Sequence, residues 1–495
     1  MQPAIHTIES APADECRRMK EAFARAEYNE ERLSKLLGED VEARRLARLP
    51  MRVIYETRDG SGFATLVRLF ALGRTVDEGS ARSALEPSNL ETWFNAGLLE
   101  REQDGVRAQF AILPHRNIFI ACDHLQAPLT GAMTDYVLGL TTSATALSDF
   151  TVRRRSRRTL DLGCGSGLQA FLAAQHSDAV TGTDCNLRAV RLSRFGALLN
   201  GFKHADFVAG DLFEPVAGRK FDLIVSNPPL RIGPGYRYSY RDSDLPADGF
   251  CRRLAREAPA YLEAGGLCQF VCDWVHLEGQ DWRQRLASWF EGSGCDALVI
   301  VDETRDVEKY AQDWIHDTEP AEPDLTAKLY VTWMEYYQRE KIEAISSGVI
   351  TMRRRDGTNW FHTDTSNGTP GAPVGEWLEL SLQQVDFLKQ TGDESLLATR
   401  LRLSPNARVE QACQCESGRW SMVDAELGLE IGLPLRGKVD GNMIRLLGAC
   451  NGERTLREAL ATLLPAAALD KLPPSLVSML RLLVGRGILL PAKDL

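Results

Sequence analysis

Residues 159–167 read TLDLGCGSG: an apolar strand runs into a glycine-rich turn, and the helix LQAFLAAQ opens at Leu168. A doubly wound α/β sheet binds nucleotides at such turns, outside the carboxyl ends of its strands. Glycine lets the backbone pass close to a ligand with no Cβ in the way. The glycines fall at Gly163, Gly165 and Gly167, whereas the dinucleotide spacing is Gly-x-Gly-x-x-Gly and position 168 is Leu. A pyrophosphate is therefore the poorer fit. Outward from this turn, AVTGTD (179–184), ADFVAGD (205–211) and FDLIVSN (221–227) read as strands, and LRAVRLSRFGALLNG (187–201) as a helix closed by Gly201. Beyond them, PAYLEAGG ends a helix, LCQFVCDWV is a strand, and CDALVIVDE and GVITMRRR supply two late strands. Short strands alternating with helices predict an α/β fold with a mainly parallel, doubly wound sheet.

Acids mark the strand ends. Asp161 leads into the turn, Asp184 ends the next strand and Asp211 the one after. A carboxylate at Asp184, about twenty residues past the first glycines, is placed to accept two ribose hydroxyls. Asp211 stands where an adenine amino group would lie. Any one of these acids alone reads as a helix cap or a turn residue. Together, on successive strand ends beside the glycine turn, they fit the methionine and ribose portions of S-adenosylmethionine (SAM). The fourth strand ends in SNPPL, Ser226–Leu230.

With these motifs the chain resembles class I SAM-dependent methyltransferases. Within them it resembles the small-domain group, which includes HemK-type protein glutamine methyltransferases and guanine-N2 ribosomal RNA methyltransferases. The resemblance covers about residues 126–355, with extra domains at both ends. It implies a seven-stranded Rossmann-like core, SAM as cofactor and S-adenosylhomocysteine as product. It also implies a cofactor pocket lined by Asp161, Gly163, Cys164, Gly165 and Gly167. Asp184 would hold the ribose, with Asp211 and Leu212 at the adenine and Asn227 adjoining. Thr141 and Thr142, in DYVLGLTTS (135–143), would approach the methionine end.

Catalysis is expected at Asn227, Pro228, Pro229 and Leu230. An amide or aromatic amine nitrogen has its lone pair delocalised into a π system. The Asn227 side-chain oxygen and the Pro228 carbonyl can each accept one N–H hydrogen, turning that lone pair towards the methyl donor. Orientation then does most of the work, without a strong base, and proline rigidity keeps the carbonyl in place. Relatives usually carry Tyr or Phe after the prolines, where it stacks on the planar target. This chain has Leu230.

Residues 1–125 read as helices, including FATLVRLFAL (63–72), followed by a small β-ribbon with its turn at Asp104-Gly105, a winged-helix-like pattern. A Gly, Pro, Thr and Asn-rich linker (356–375) precedes a second winged-helix-like domain at 376–495. The net charge of −10 argues against coating nucleic acid through bulk charge. No apolar run approaches the ~18 residues of a membrane span, and MQPAIHTIESAPADECRRMK lacks the pattern of a secretory signal. Eleven cysteines without a framework predict reduced thiols in a cytoplasmic protein. His115, His276 and the segment around Trp314 have no ligand spacing, so no metal is assigned.

The acceptor stays open between classes. A protein glutamine amide is favoured by the HemK-like core and the acidic charge. A ribosomal RNA, transfer RNA or DNA base amino group is favoured by three features. These are the winged-helix-like ends, the run Arg153–Arg158, and the loop RIGPGYRYSYRDSDLPADG, where Tyr236, Tyr238 and Tyr240 alternate with Arg237 and Arg241. A small-molecule amine is a further alternative. A catalytically silent SAM-binding interaction module is another, which the intact Asn227 and Pro228 disfavour. The oligomeric state is left open.

Overall fold

A computed structural model describes residues 12–37, 51–124, 135–235, 241–319, 322–366, 374–433, 436–469 and 471–492. The chain forms two units, one of Met1–Ser148 with Arg154–Thr363 and one of Asp149–Arg153 with Asp364–Leu495. The boundary expected near residue 125 falls inside the first unit, and the expected linker contains the main boundary with the second.

The first unit begins with helices and two hairpins. Strands β1 (Leu99–Glu102) and β2 (Gly105–Ala108) pair around the Asp104-Gly105 turn, and β3 (Ala111–His115) pairs with β4 (Ile118–Cys122). These elements share one hydrophobic core with the sheet that follows, running from Phe23, Phe70 and Trp93 to Phe171, Phe195 and Phe207. Phe23 packs on Phe119 with ring centroids 4.8 Å apart. The Asn200 side chain then serves β4 as a strand partner would. Its Oδ1 accepts the Phe119 N–H and its Nδ2 donates to the Phe119 carbonyl, both at 2.8 Å. Asn200 is the last residue of helix Leu187–Asn200, which is capped by the Asn186 side chain at its start and by Gly201 (φ 81°) at its end.

The sheet contains β5 (Ser156–Leu162), β6 (Ser177–Asp184), β7 (Ala205–Ala209), β8 (Phe221–Ser226), β9 (Leu262–Leu277), β10 (Cys295–Asp306), β11 (Ile342–Arg354) and β12 (Phe361–Thr365). Its order is β12-β10-β11-β9-β8-β5-β6-β7. Strands β5 to β9 are parallel, while β11 lies antiparallel between β9 and β10. This is the doubly wound, Rossmann-like sheet that the alternation of strands and helices predicts. The central strand β8 is almost wholly buried, as its apolar run requires of a strand covered on both faces.

One strand was not foreseen. Phe361–Thr365 lies inside the stretch read as a linker, and it makes the sheet eight-stranded instead of seven. The Gly, Thr and Asn composition argues for a loop, but two aromatic residues decide otherwise. Trp360 is buried and its carbonyl accepts the Ala297 N–H at 2.8 Å. Phe361 stacks on Phe290 with centroids 5.8 Å apart.

In the second unit β13 (Arg400–Leu403) is flanked by β17 (Asn451–Thr455) and β18 (Leu489–Pro491). Helices Gly441–Ala449, Leu456–Ala461 and Pro474–Gly485 supply the core through Leu446, Leu447, Leu456, Leu460, Leu480 and Val484. These three helices and the closing strand lie where the sequence reads as three apolar helical segments and a short strand. A separate ribbon of β14 (Ala407–Glu416), β15 (Arg419–Leu429) and β16 (Gly437–Lys438) is added to them. Among the described residues no helix is long and apolar enough to cross a membrane.

Candidate cofactor and acceptor site

Two turns leave the sheet side by side. Strands β5 and β8 pair in parallel with Leu162 opposite Ser226, and the Ser226 hydroxyl donates to the Leu162 carbonyl at 2.7 Å. The glycine turn and the Asn-Pro-Pro turn therefore start from neighbouring strand ends.

The glycine turn is held by β6, since the Gly163 and Cys164 N–H groups both donate to the Thr183 carbonyl, at 2.8 and 2.9 Å. Gly163, Gly165 and Gly167 have φ of 72°, 51° and 84°, a left-handed backbone that favours glycine. They differ in what a side chain would meet. At Gly167 a Cβ would lie 2.6 Å from the Phe171 ring, whereas at Gly163 and Gly165 it would meet nothing within 4 Å. Gly167 is thus fixed by packing, and the first two glycines border open space.

Two of the acids are tied to the turn and to the helix it opens. Asp161 is buried and its carboxylate accepts the Ala170 N–H at 2.8 Å, tying the strand to the first turn of helix Leu168–Ala174. Burial pushes Asp161 up to about 7, and the nearby Asp184 charge adds to the effect. Asp184 accepts from the Gly165 N–H and the Asn186 N–H, each at 2.8 Å, and burial raises its pKa also. Each carboxylate oxygen has further lone pairs for a hydroxyl or a cation. Asp211 follows β7, is exposed, and lies 3.4 Å from the Arg253 guanidinium. Leu212 takes a positive φ of 43° and its carbonyl accepts the Thr183 hydroxyl at 3.2 Å. The Cys164 side chain turns inward, beside the Ser193 hydroxyl and the Cα of Gly182, so only its backbone borders the turn.

Asn227 lies half-buried, with Pro228 buried and Pro229 and Leu230 partly so. Its Nδ2 donates to the hydroxyl of Ser143 at 3.3 Å. Thr141 is the cap of helix Thr142–Phe150, its Oγ1 accepting the Ala144 N–H at 3.2 Å, while Thr142 is exposed. The segment from 135 to 143 touches the acceptor turn through Ser143. Nothing in the sequence singles that serine out from its neighbouring threonines. Beyond the turn, Ile232 is clamped by two phenols. Its N–H donates to the Tyr310 hydroxyl at 3.1 Å, its carbonyl accepts from Tyr337 at 2.8 Å, and Tyr310 donates to Asp273 at 2.6 Å. A cleft of about 350 Å³ opens alongside, lined by Arg231, Ser243, Pro246, Tyr336 and Arg339.

Two basic features that could contact nucleic acid are in part paired with acids. Arg241 is buried and bonded to Glu319 at 2.9 Å and Asp242 at 3.1 Å, so it offers nothing to a phosphate. Tyr236, Arg237, Tyr238 and Tyr240 lie outside the described residues. In the run 153–158, Arg155, Arg157 and Arg158 pair with Asp178, Asp222 and Glu263 at 3.1, 3.2 and 2.8 Å. The run also enters β5 at its amino end, about 20 Å from the glycine turn at roughly 3.3 Å per residue. Its acidic partners are distant in sequence, which is why the run reads as unpaired there.

The buried acid makes a pH prediction. A carboxyl raised to about 7 in the folded chain binds its proton more tightly than in the unfolded one. Its contribution to stability is complete below about 4 and is lost as pH rises towards 7. Asp161→Asn is expected to flatten that part of the pH profile of the melting temperature, since the amide oxygen still accepts the Ala170 N–H. An unchanged slope between pH 4 and 7 would assign the dependence to other groups.

Residues 141–281 match the family Methyltransferase small domain. Residues 25–109 and 379–491 match two families described as domains of unknown function, DUF7059 and DUF7782. The chain is similar to ribosomal RNA small subunit methyltransferase C of Alcanivorax borkumensis, 34% identical over 116 residues, which is 23% of this chain and 32% of that protein. It is also similar to release factor glutamine methyltransferase of Xylella fastidiosa, 33% identical over 161 residues, which is 29% of this chain and 55% of that protein. The chain thus spans about a third to about half of the length of these relatives. The crystal structure of a methyltransferase from Pyrococcus furiosus aligns with 44% of this chain and 85% of its own, at 16% identity and a TM-score of 0.27. The glycine turn, the three acids and the Asn-Pro-Pro turn all fall within residues 141–281, the stretch that matches the Methyltransferase small domain family.

Proposed function

We propose that the chain is a SAM-dependent N-methyltransferase acting on a planar amide or amino nitrogen, in the first place a protein glutamine side chain. The reading is carried by the adjacency of two turns: one with open space over Gly163 and Gly165, and one presenting Asn227 and the Pro228 carbonyl. The residues fit SAM. Open backbone at two glycines admits a ligand at close range, and the Asp161 and Asp184 carboxyls suit a cationic, hydroxyl-bearing molecule. When bound there, SAM supplies a methyl group made electrophilic by a cationic sulfur. Asn227 Oδ1 and the Pro228 carbonyl hold the acceptor's two N–H hydrogens and so aim its nitrogen. The nitrogen's proton becomes acidic once its lone pair is engaged and passes to water, so no strong base is needed. Leu230 gives the acceptor an apolar wall.

A glutamine acceptor is supported by the pairing of Arg155, Arg157 and Arg158 with acids, the burial of Arg241, and the similarity to a release factor glutamine methyltransferase. The similarity to a ribosomal RNA methyltransferase supports a base amino group as the second reading. Among the described residues no cysteine forms a disulfide, which suits the reducing cytoplasm. The test is transfer of tritium from methyl-labelled SAM into an extract of cells lacking the gene, split into protease- and nuclease-treated halves. Label lost with protease is the expected result. Label lost only with nuclease would replace glutamine by a base.

A further inference from the structure

We infer that Ser143 is a positioning residue that selects which end of the Asn227 amide faces the acceptor; this rests on the methyl-transfer reading above. The two ends of an asparagine amide are nearly the same size, so shape alone does not choose between them. Their chemistry is opposite. With Oδ1 outward the side chain accepts the acceptor's N–H. With Nδ2 outward, donor would meet donor and the nitrogen would be pushed away.

In the structure the inward end of the amide is its nitrogen, held by Ser143. Asn227 Nδ2 donates to Ser143 Oγ at 3.3 Å, and Ser143 Oγ lies 3.1 Å from Thr141 Oγ1. Thr141 Oγ1 already accepts the Ala144 N–H at the helix start. With its lone pair on Asn227 Nδ2, Ser143 can place its own hydrogen on Thr141 Oγ1. The amide nitrogen is then held inward and Oδ1 is left for the acceptor. The two partners are 84 positions apart in the chain, so the link also joins the segment beside the cofactor turn to the acceptor turn.

The test uses the full chain and methyl-tritiated SAM with whichever extract fraction takes label. Ser143→Ala is expected to lower kcat about five- to tenfold, the worth of one hydrogen bond, with KM and SAM affinity changed less than about twofold. Ser143→Thr should restore kcat. In an Asn227→Asp background both side-chain oxygens accept, so the same alanine substitution should change the residual rate by less than about twofold. An acceptor-free readout separates this from the wider proposal. The side-chain ¹⁵N–¹H pair of Asn227, assigned by its absence in Asn227→Asp, should shift in Ser143→Ala and stay in Ser143→Thr. Equal losses in both backgrounds, reduced SAM affinity, or an unmoved resonance pair would overturn the inference. A shifted pair in a protein that methylates nothing would instead sink the methyl-transfer reading and leave the hydrogen bond standing.

Discussion

Asn227→Ala is expected to reduce turnover on the order of 10²–10³-fold while SAM affinity stays within a few-fold. The side chain is half-buried at the end of β8, and on the proposed reading its oxygen is one of two acceptors for the target's N–H hydrogens. Removing one fixed dipole from a desolvated reacting centre typically costs that much in kcat. The Pro228 carbonyl remains, which sets the floor of the loss. The glycine turn is held by β6 and by the Ser226 clasp, and neither involves the Asn227 side chain. Cofactor affinity is therefore the internal control. Calorimetric titration with SAM beside tritium transfer separates the two effects, and undiminished turnover would mean that the chemistry sits elsewhere.

The largest stability effect is expected at Asp123. Its carboxylate is bonded to both terminal nitrogens of Arg188 and also accepts the Val137 N–H at 2.7 Å. The two side chains are only 3% and 12% exposed. The arginine lies 5.2 Å from the Phe110 ring centroid, so water cannot readily replace a lost partner. Asp123→Ala leaves a cation and an amide N–H buried without compensation, at a cost of about 3–5 kcal/mol. Replacing both members with apolar residues of similar size should cost much less, because the penalty lies in the abandoned charge. Urea titrations of the single and double variants measure the difference. The single variant should also weaken SAM binding, since Val137 begins the segment leading to Thr141, and the neighbouring Asp135 carbonyl accepts from Asn186 at 2.8 Å, two residues beyond Asp184. A single variant as stable as the parent would show that Arg188 finds water after all.

The parts legible in the sequence are those with local signals. Strands such as FDLIVS declare themselves through short apolar runs, here Leu223–Val225, and the glycine turn and the Asn-Pro-Pro turn are each spelled out within a few consecutive residues. What the sequence hides are pairings across long separations. Phe23 and Phe119 read as faces of a self-contained module, and only the fold shows that they share a core with Phe171. Arg158 reads as a free cation because Glu263 is a hundred positions away. Ser143 gains its role from Asn227, and Trp360 outweighs the loop-forming residues around it by packing alone. The ribbon β14–β15 is similarly silent, with few core contacts to impose a pattern on its exposed residues.

Because β5 and β8 are hydrogen-bonded neighbours, the roots of the two turns stand one strand spacing apart, about 4.8 Å. That interval is a property of the peptide backbone and not of any side chain. Mutation can remodel the walls, the flanking modules or the acceptor's entrance without lengthening the reach between donor and recipient. A scaffold with its crucial distance set in this way can change clientele while keeping its reaction.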